Sequence, residues 1–73
     1  MKTVLVFKTS VSTRSGVKRI KHLLDDLMHE NECWNFDLED CDHILRVESF
    51  RIKAPEIEDR LKKAGFFCAE LPD

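Results

Sequence analysis

Hydroxyl side chains and bases crowd together directly after the first apolar run of the chain. The candidate anion-binding residues of this segment are Ser10, Ser12, Thr13, Lys8, Arg14 and Lys18. Hydroxyl residues often cap a helix, and the free amides of a helix N-terminus attract anions. The segment therefore predicts either a weak site for phosphate or a nucleic-acid backbone, or a plain helix cap whose neighbouring bases pair with acids of a later turn.

A cysteine and a histidine stand two positions apart in an acidic turn. Cys41 and His43 alternate with Asp40 and Asp42. A Cys-x-His pair is part of a ligand set for a borderline or soft metal ion. The competing interpretation is an ordinary acidic turn that pairs with bases such as Lys8.

Residue types needed for catalysis do not come together in the sequence. No histidine base and orienting acid can be placed beside any of the three cysteines, which are Cys33, Cys41 and Cys68. A glycine-rich phosphate loop is missing as well. We therefore expect no enzyme and no cofactor. The odd number of cysteines favours reduced thiols, and hence a cytoplasmic location.

Length and charge limit the class of protein further. Seventy-three residues, of which 42% are hydrophobic and 36% charged, indicate one globular domain over residues 1–73. Residues 1–22 carry six bases and no acid, whereas residues 23–42 carry eight acids and no lysine or arginine. No apolar run approaches the roughly 20 residues of a membrane span. The segregated charge predicts surfaces that orient a partner, with solvated faces as the simpler alternative.

Hydrophobic periodicity predicts six elements. Strands are expected over residues 4–7, 34–39, 44–50 and 67–71, and helices over residues 12–30 and from Pro55 to a C-cap at Gly65. The order β-α-β-β-α-β predicts an α+β, ferredoxin-like fold, with a four-stranded antiparallel sheet and two helices on one face. The loop after the first strand, the hairpin turn and Phe66 should then share one end of the sheet.

Segments across nearly the whole chain match a known family. The matching features are a threonine-containing loop after the first strand, Val17 in the first helix, the strand end Asp37-Leu38-Glu39 and the helix end Leu61-Lys62-Lys63-Ala64-Gly65-Phe66. Together they resemble the heavy-metal-associated (HMA) domain, a family that includes copper chaperones and the N-terminal modules of metal-transporting ATPases. The resemblance implies the ferredoxin-like fold and an aromatic residue, Phe66, beside the metal loop.

The metal motif of that family is altered in this chain. Family members carry Met-x-Cys-x-x-Cys in the loop after the first strand, where two thiolates suit copper(I). The resemblance places Lys8 at the methionine, Ser10 at the first cysteine and Thr13 at the second. Hydroxyls are poor ligands for a soft ion, and Lys8 adds a positive charge. We therefore expect no metal at this loop.

The uncovered face of the sheet is the remaining candidate surface. We expect Val4 and Val6 to face the helices, because side chains of a strand alternate between faces. Three apolar residues would then form a patch on the opposite face: Leu5, Phe7 and Phe67. Such a patch is typical of a surface for a protein partner or a second copy.

Nucleic-acid binding through the same face is not expected. RNA-recognition sheets stack bases on aromatic residues of central strands, whereas the third strand here presents Arg46 and Glu48. The leading hypothesis is a non-enzymatic, HMA-like binding module that has lost its thiolate site and acts by protein or self-association. The alternatives are a metal protein using Cys41 and His43, and an anion or nucleic-acid binder using residues 8–18.

Overall fold

Four strands and two helices follow one another in the predicted order. A computed structural model describes residues 2–37, 39 and 43–72. The elements are β1 (Thr3–Thr9), α1 (Arg14–Asp25), β2 (Cys33–Asp37), β3 (Ile44–Ser49), α2 (Ala54–Lys63) and β4 (Cys68–Glu70). All strand pairs are antiparallel, in the order β2-β3-β1-β4, and both helices pack on one face. The α+β, ferredoxin-like fold is thus confirmed. Neither described helix is long and apolar enough to cross a bilayer.

Helix α1 begins as predicted but ends earlier than its apolar stripe suggests. The Thr13 Oγ1 accepts a hydrogen bond from the Gly16 amide at 3.0 Å, which caps the first turn. The helix ends at Asp25, whereas the sequence predicted an end near residue 30. The amides of Asp26 and Met28 still donate to the His22 and Leu24 carbonyls at 3.1 and 3.2 Å, and Glu32 Oε1 then accepts from the His29 amide at 2.7 Å. A side chain that follows the helix therefore closes the turn.

Helix α2 ends at Lys63, and Gly65 closes its C-terminus, where the sequence predicted a cap. Gly65 has a φ of 91°, a backbone conformation that other residues adopt only with strain. Its amide donates to the Lys62 carbonyl at 3.0 Å, and the Phe66 amide donates to the Leu61 carbonyl at 2.9 Å. These two bonds form the Schellman arrangement that closes a helix C-terminus. The turn directs Phe66 back toward the first helix.

The two faces of β1 are the reverse of the prediction. Phe7 is 0% exposed and belongs to the core, and Leu5 packs against that core, whereas Val4 is 40% exposed. The register explains the reversal, because Phe7 pairs with Leu45 and directly opposed residues share a face. Leu45 lies inside, since it is 0% exposed and belongs to the core. The patch predicted from Leu5, Phe7 and Phe67 therefore retains only Phe67.

Among the described residues, nine hydrophobic side chains form the buried core. They come from both helices, the two central strands and two loops: Phe7, Val11, Ile20, Leu24, Leu45, Val47, Ile52, Ile57 and Leu61. Cys68 packs against this cluster. Because the core is so small, each member contributes a large share of the free energy of unfolding.

Replacing Phe7 by glutamate should unfold the chain, whereas Val4→Glu should leave it folded. Truncation of a buried phenylalanine costs about 3–5 kcal/mol, a small domain is stable by roughly 5–15 kcal/mol, and a buried unpaired carboxylate adds a further cost. Circular dichroism and thermal unfolding of both variants measure the difference. A folded, cooperatively melting Phe7→Glu protein would contradict the assignment of the faces.

Candidate functional site

Loop 1, residues 10–13, is bound to two other loops at one end of the sheet. The Thr9 Oγ1–H donates to the His43 carbonyl at 2.7 Å, and the same oxygen accepts from the Val11 amide at 3.2 Å. The Ser10 Oγ accepts from the Phe67 amide at 2.8 Å, and the Ser10 amide donates to the Phe67 carbonyl at 3.1 Å. The predicted meeting of loop 1, the hairpin turn and the segment after α2 is therefore confirmed for the described residues.

The residues at the family's metal-motif positions have structural partners. The Ser10 and Thr13 oxygens each accept a hydrogen bond from a backbone amide, so both hydroxyls help to fix the loop. Lys8 is exposed near the end of β1. Among residues 2–37, 39 and 43–72, no group of three or more His, Cys, Asp or Glu side chains is arranged to hold a metal ion. The absence of a metal site stays a prediction.

The alternative metal hypothesis concerns the hairpin turn. Cys41, with Asp40 and Asp42, lies outside the described residues. His43 is described, and its φ of 48° places its backbone in the left-handed region. Its Nδ1 is buried and has no hydrogen-bond partner within the described part of the chain. Metal binding by Cys41 and His43 stays a prediction that this nitrogen favours.

The anion hypothesis rests on the first turn of α1. Ser12, Arg14 and Lys18 are exposed there. Ser10 and Thr13 also belong to the predicted set, but their oxygens already accept backbone amides. Anion binding at this turn stays a prediction, with fewer hydroxyls available than the sequence suggested.

The open face of the sheet carries mixed apolar and charged side chains. The strand register aligns them in three rows: Asp37–Ile44–Lys8–Ala69, Asn35–Arg46–Val6 and Cys33–Glu48–Val4. The Leu71 amide donates to the Val6 carbonyl at 2.8 Å, which extends the middle row. Since Cys68 packs against the core, its neighbour Phe67 lies on the open side.

Apolar residues of this face remain accessible. Phe67 is 58% exposed and Val4 is 40% exposed. Val6, Ile44 and Leu71 between or beside them are half-buried. We call these five residues the open-face patch. It replaces the patch predicted from Leu5 and Phe7, because the strand is turned the other way.

A carboxylate that sequence reasoning did not single out joins two turns beside the core. Glu32 Oε2 accepts from the Ser49 Oγ–H at 2.5 Å and from the Phe50 amide at 3.0 Å. Glu32 Oε1 accepts from the His29 amide and lies 3.5 Å from an Arg51 guanidinium nitrogen. The Glu32 side chain is only 1% exposed. A buried carboxylate with this many donors is a structural anchor.

These donors change the acidity of Glu32. The hydrogen bond from Ser49, followed by that from Phe50, lowers the pKa of Glu32 from 4.5 to about 2. Burial opposes this shift, while the His29 amide and Arg51 add to it. The charged form is therefore the form that the fold stabilises.

The Cys68 thiol is not activated. Burial raises the pKa of Cys68 to about 12, and the nearby carboxylate of Glu58 adds to the effect. This thiol therefore stays protonated at neutral pH, where it is a poor nucleophile and a poor metal ligand. Cys33 is exposed, and its Sγ lies 3.5 Å from Glu48 Oε2 across the strand pair.

Comparisons with known proteins add no relative. No family model matches the chain, and searches of curated proteins and of solved structures found no match.

Removing the charge of Glu32 should weaken the acid dependence of stability. Because its folded pKa is lowered, Glu32 stabilises the fold fully above about pH 4.5, and this stabilisation is lost as the pH falls toward 2. Glu32→Gln should lower the stability at pH 7 and flatten the decline between these values. Urea unfolding at a series of pH values measures both effects.

Glu30→Gln is the matched control, because Glu30 is an exposed carboxyl residue two positions away. It should reproduce the wild-type pH profile. A Glu32→Gln profile that follows the wild type over the same range would refute the anchoring role.

Proposed function

We propose that this chain is a small non-catalytic binding module of the HMA type, in which the metal loop has become structural and the sheet face contacts another protein. The observation that carries the proposal is the state of loop 1. At the two positions where the family has thiolates, Ser10 and Thr13 accept backbone amides. A cytoplasmic location belongs to the same proposal, since cysteines are kept reduced there.

The surroundings of loop 1 support the resemblance to the family without its chemistry. Phe66 packs beside the loop, since a Cβ on Gly16 would lie 3.4 Å from the end of its ring. The guanidinium carbon of Arg19 lies 5.3 Å from the ring centroid and one of its nitrogens donates to the Ala64 carbonyl at 3.1 Å. The proposal is supported by this aromatic residue, which lies next to a cation from the protein itself.

The open-face patch supplies the contact surface. Phe67 lies beside loop 1 and Val4 lies at the far end of β1, so the apolar residues run along two neighbouring strands. Lys8, Arg46 and Glu48 on the same face add charges that would orient a partner. An accessible apolar surface rimmed by charge is typical of protein contacts.

A second candidate function is metal binding at the hairpin turn. The observation in its favour is the buried Nδ1 of His43, which lacks a partner among the described residues. With Cys41 two positions earlier in the chain, the two side chains offer one nitrogen and one sulfur donor. Such a pair needs further ligands, and this candidate draws them from the end of β1 and loop 1, where the Thr9 hydroxyl donates to the His43 carbonyl.

The chain should bind copper(I) weakly, and two cysteines should restore a site. Hydroxyl oxygens are poor ligands for a soft ion, so Ser10→Cys with Thr13→Cys should raise the affinity by orders of magnitude. Titration of the reduced protein against a competing copper(I) chelator measures both affinities. Tight binding by the wild type that survives mutation of all three natural cysteines would contradict the proposal; tight binding lost with Cys41→Ser alone would favour the second candidate.

Association should depend on Phe67 and not on Phe50. Both side chains are similarly exposed, at 58% and 55%, but Phe50 lies at the other end of the sheet beside Lys2. Phe67→Glu should abolish a dimer or a captured partner, because a carboxylate in the contact is costly, while Phe50→Glu should retain it.

Light scattering over a concentration series and affinity capture measure this difference for the wild type, the Phe67→Glu protein and the Phe50→Glu protein. If the Phe67→Glu protein associates as strongly as the wild type, or if the wild type associates in neither assay, the role of the open-face patch is overturned.

A further inference from the structure

The edge of β2 borders a groove that the fold leaves open. β2 is an outer strand and pairs only with β3 among the described strands. The groove has a volume of about 350 Å³ and is lined by Arg14, Val17, Lys18, Trp34, Asn35 and Phe36. It lies between α1 and the free edge of β2. A backbone placed there meets unpaired amides and carbonyls on one side and helix side chains on the other.

The floor of the groove is apolar and held in one arrangement. Val17, Trp34 and Phe36 are half-buried and pack against the core. The Trp34 and Phe36 rings meet edge to face, with centroids 6.2 Å apart and planes at 81°. The Trp34 Nε1–H donates to Asp25 Oδ1 at 2.8 Å, which ties the indole to the last turn of α1. The accessible part of each ring is therefore positioned before a ligand arrives.

The rim of the groove is positively charged. Arg14 and Lys18 are exposed, and neither has a hydrogen bond or ion pair with another described residue. Arg14 stands in the first turn of α1, which contains no acid. A base at this end opposes the helix dipole, so it weakens the helix slightly while it raises the local positive potential. An anionic group in the groove would offset both the unfavourable interaction of Arg14 with the helix dipole and the local positive potential.

The spacing of the two bases suits an extended chain. Arg14 and Lys18 are one helical turn apart, about 6 Å along the axis. Alternate residues of a strand are about 6.6 Å apart and point to the same side. Two glutamates at alternate positions would therefore place their carboxylates opposite both bases, with their methylene groups over Trp34 and Phe36.

We propose that an acidic, extended segment of a partner protein adds to the sheet along β2 and fills this groove. The inference rests on the proposed function as a protein-binding module and names the chemistry of its partner. The mode is strand addition, in which main-chain hydrogen bonds supply affinity and side-chain contacts supply specificity.

Two other occupants fit the groove less well. If β2 paired with β2 of a second copy, the two sets of Arg14 and Lys18 would approach each other, and like charges oppose this. A nucleic acid would match the charge, but its bases need exposed ring faces on which to stack. The rings here are half-buried and meet edge to face.

Trp34 provides the test, because it is the single tryptophan of the chain. The probe is a capped peptide of about seven residues, the length of an ordinary strand, in which glutamates alternate with valines. Control peptides carry lysine for glutamate, or a central proline that cannot join a sheet. The glutamate peptide should change Trp34 emission and shift the backbone amides of residues 14–18 and 33–37, and the controls should do neither.

Charge reversal tests the rim. Arg14→Glu with Lys18→Glu should weaken the glutamate peptide about tenfold, because two exposed ion pairs are lost, and added salt should weaken the wild-type complex. Lys53→Glu with Lys62→Glu is the matched control, since it changes the net charge equally, at the N-cap and in the last turn of α2, and should leave binding unchanged.

Each contrary result overturns the inference in a recognisable way. Equal binding of the lysine or proline peptide refutes acidic strand addition, tighter binding of an oligouridine identifies a nucleic-acid surface, and a concentration-dependent Trp34 change without peptide identifies a second copy. If the glutamate peptide does not bind while Phe67-dependent association persists, the strand-addition inference is wrong and the proposed function stands. If neither binding nor association is found, the inference and the proposed function are both overturned.

Discussion

The carboxylate of Glu32 fixes the relative positions of two turns, and the placement of β2 and α2 depends on it. One oxygen closes the turn after α1 through the His29 amide, and the other holds Ser49 and Phe50 at the end of β3. The Ser49 hydroxyl in turn accepts the amide of Ile52, which leads into α2. A single charged group thus orients chain segments that are distant in sequence, and the strand that follows it, β2, inherits its position beside α1.

At the opposite end of the sheet, neutral hydroxyls perform a comparable task. Thr9 and Ser10 hold backbone groups of neighbouring loops, and Thr13 holds the Gly16 amide in the first turn of α1. Gly16 makes the close packing there feasible, because an added Cβ would come within 3.0 Å of Val11 Cγ1. The loop is therefore fixed from both sides, by hydrogen bonds and by packing. Such rigidity suits a structural element better than a loop that must open around an ion.

Signals from neighbouring residues predicted most of the fold. The features that the sequence did not predict depend mainly on contacts between residues far apart in the chain. Alternating residues predicted β2 and β3, and Gly65 predicted the end of α2. Residues 4–7 are all apolar, so they give no alternation that distinguishes the two faces of β1. The charged Lys8 marks the exposed face, because Val4 and Val6 lie on the same side of the strand. The end of α1 was misplaced because Leu27 continues the apolar stripe beyond it. The role of Glu32 was not predictable, since its partners lie elsewhere in the chain, and the groove at β2 depends on how helix and strand pack.

The central position of β1 has a consequence for how the chain folds. β1 pairs with β3 and β4, so Thr9 lies opposite Cys68, and Thr3 lies opposite Ser49. The hairpin of β2 and β3 is the one strand pair that forms from neighbouring segments. During synthesis on the ribosome, β1 lacks its partner β4 until that last strand has emerged. Closure of that long loop, rather than formation of either helix, is therefore the slow step that the topology imposes.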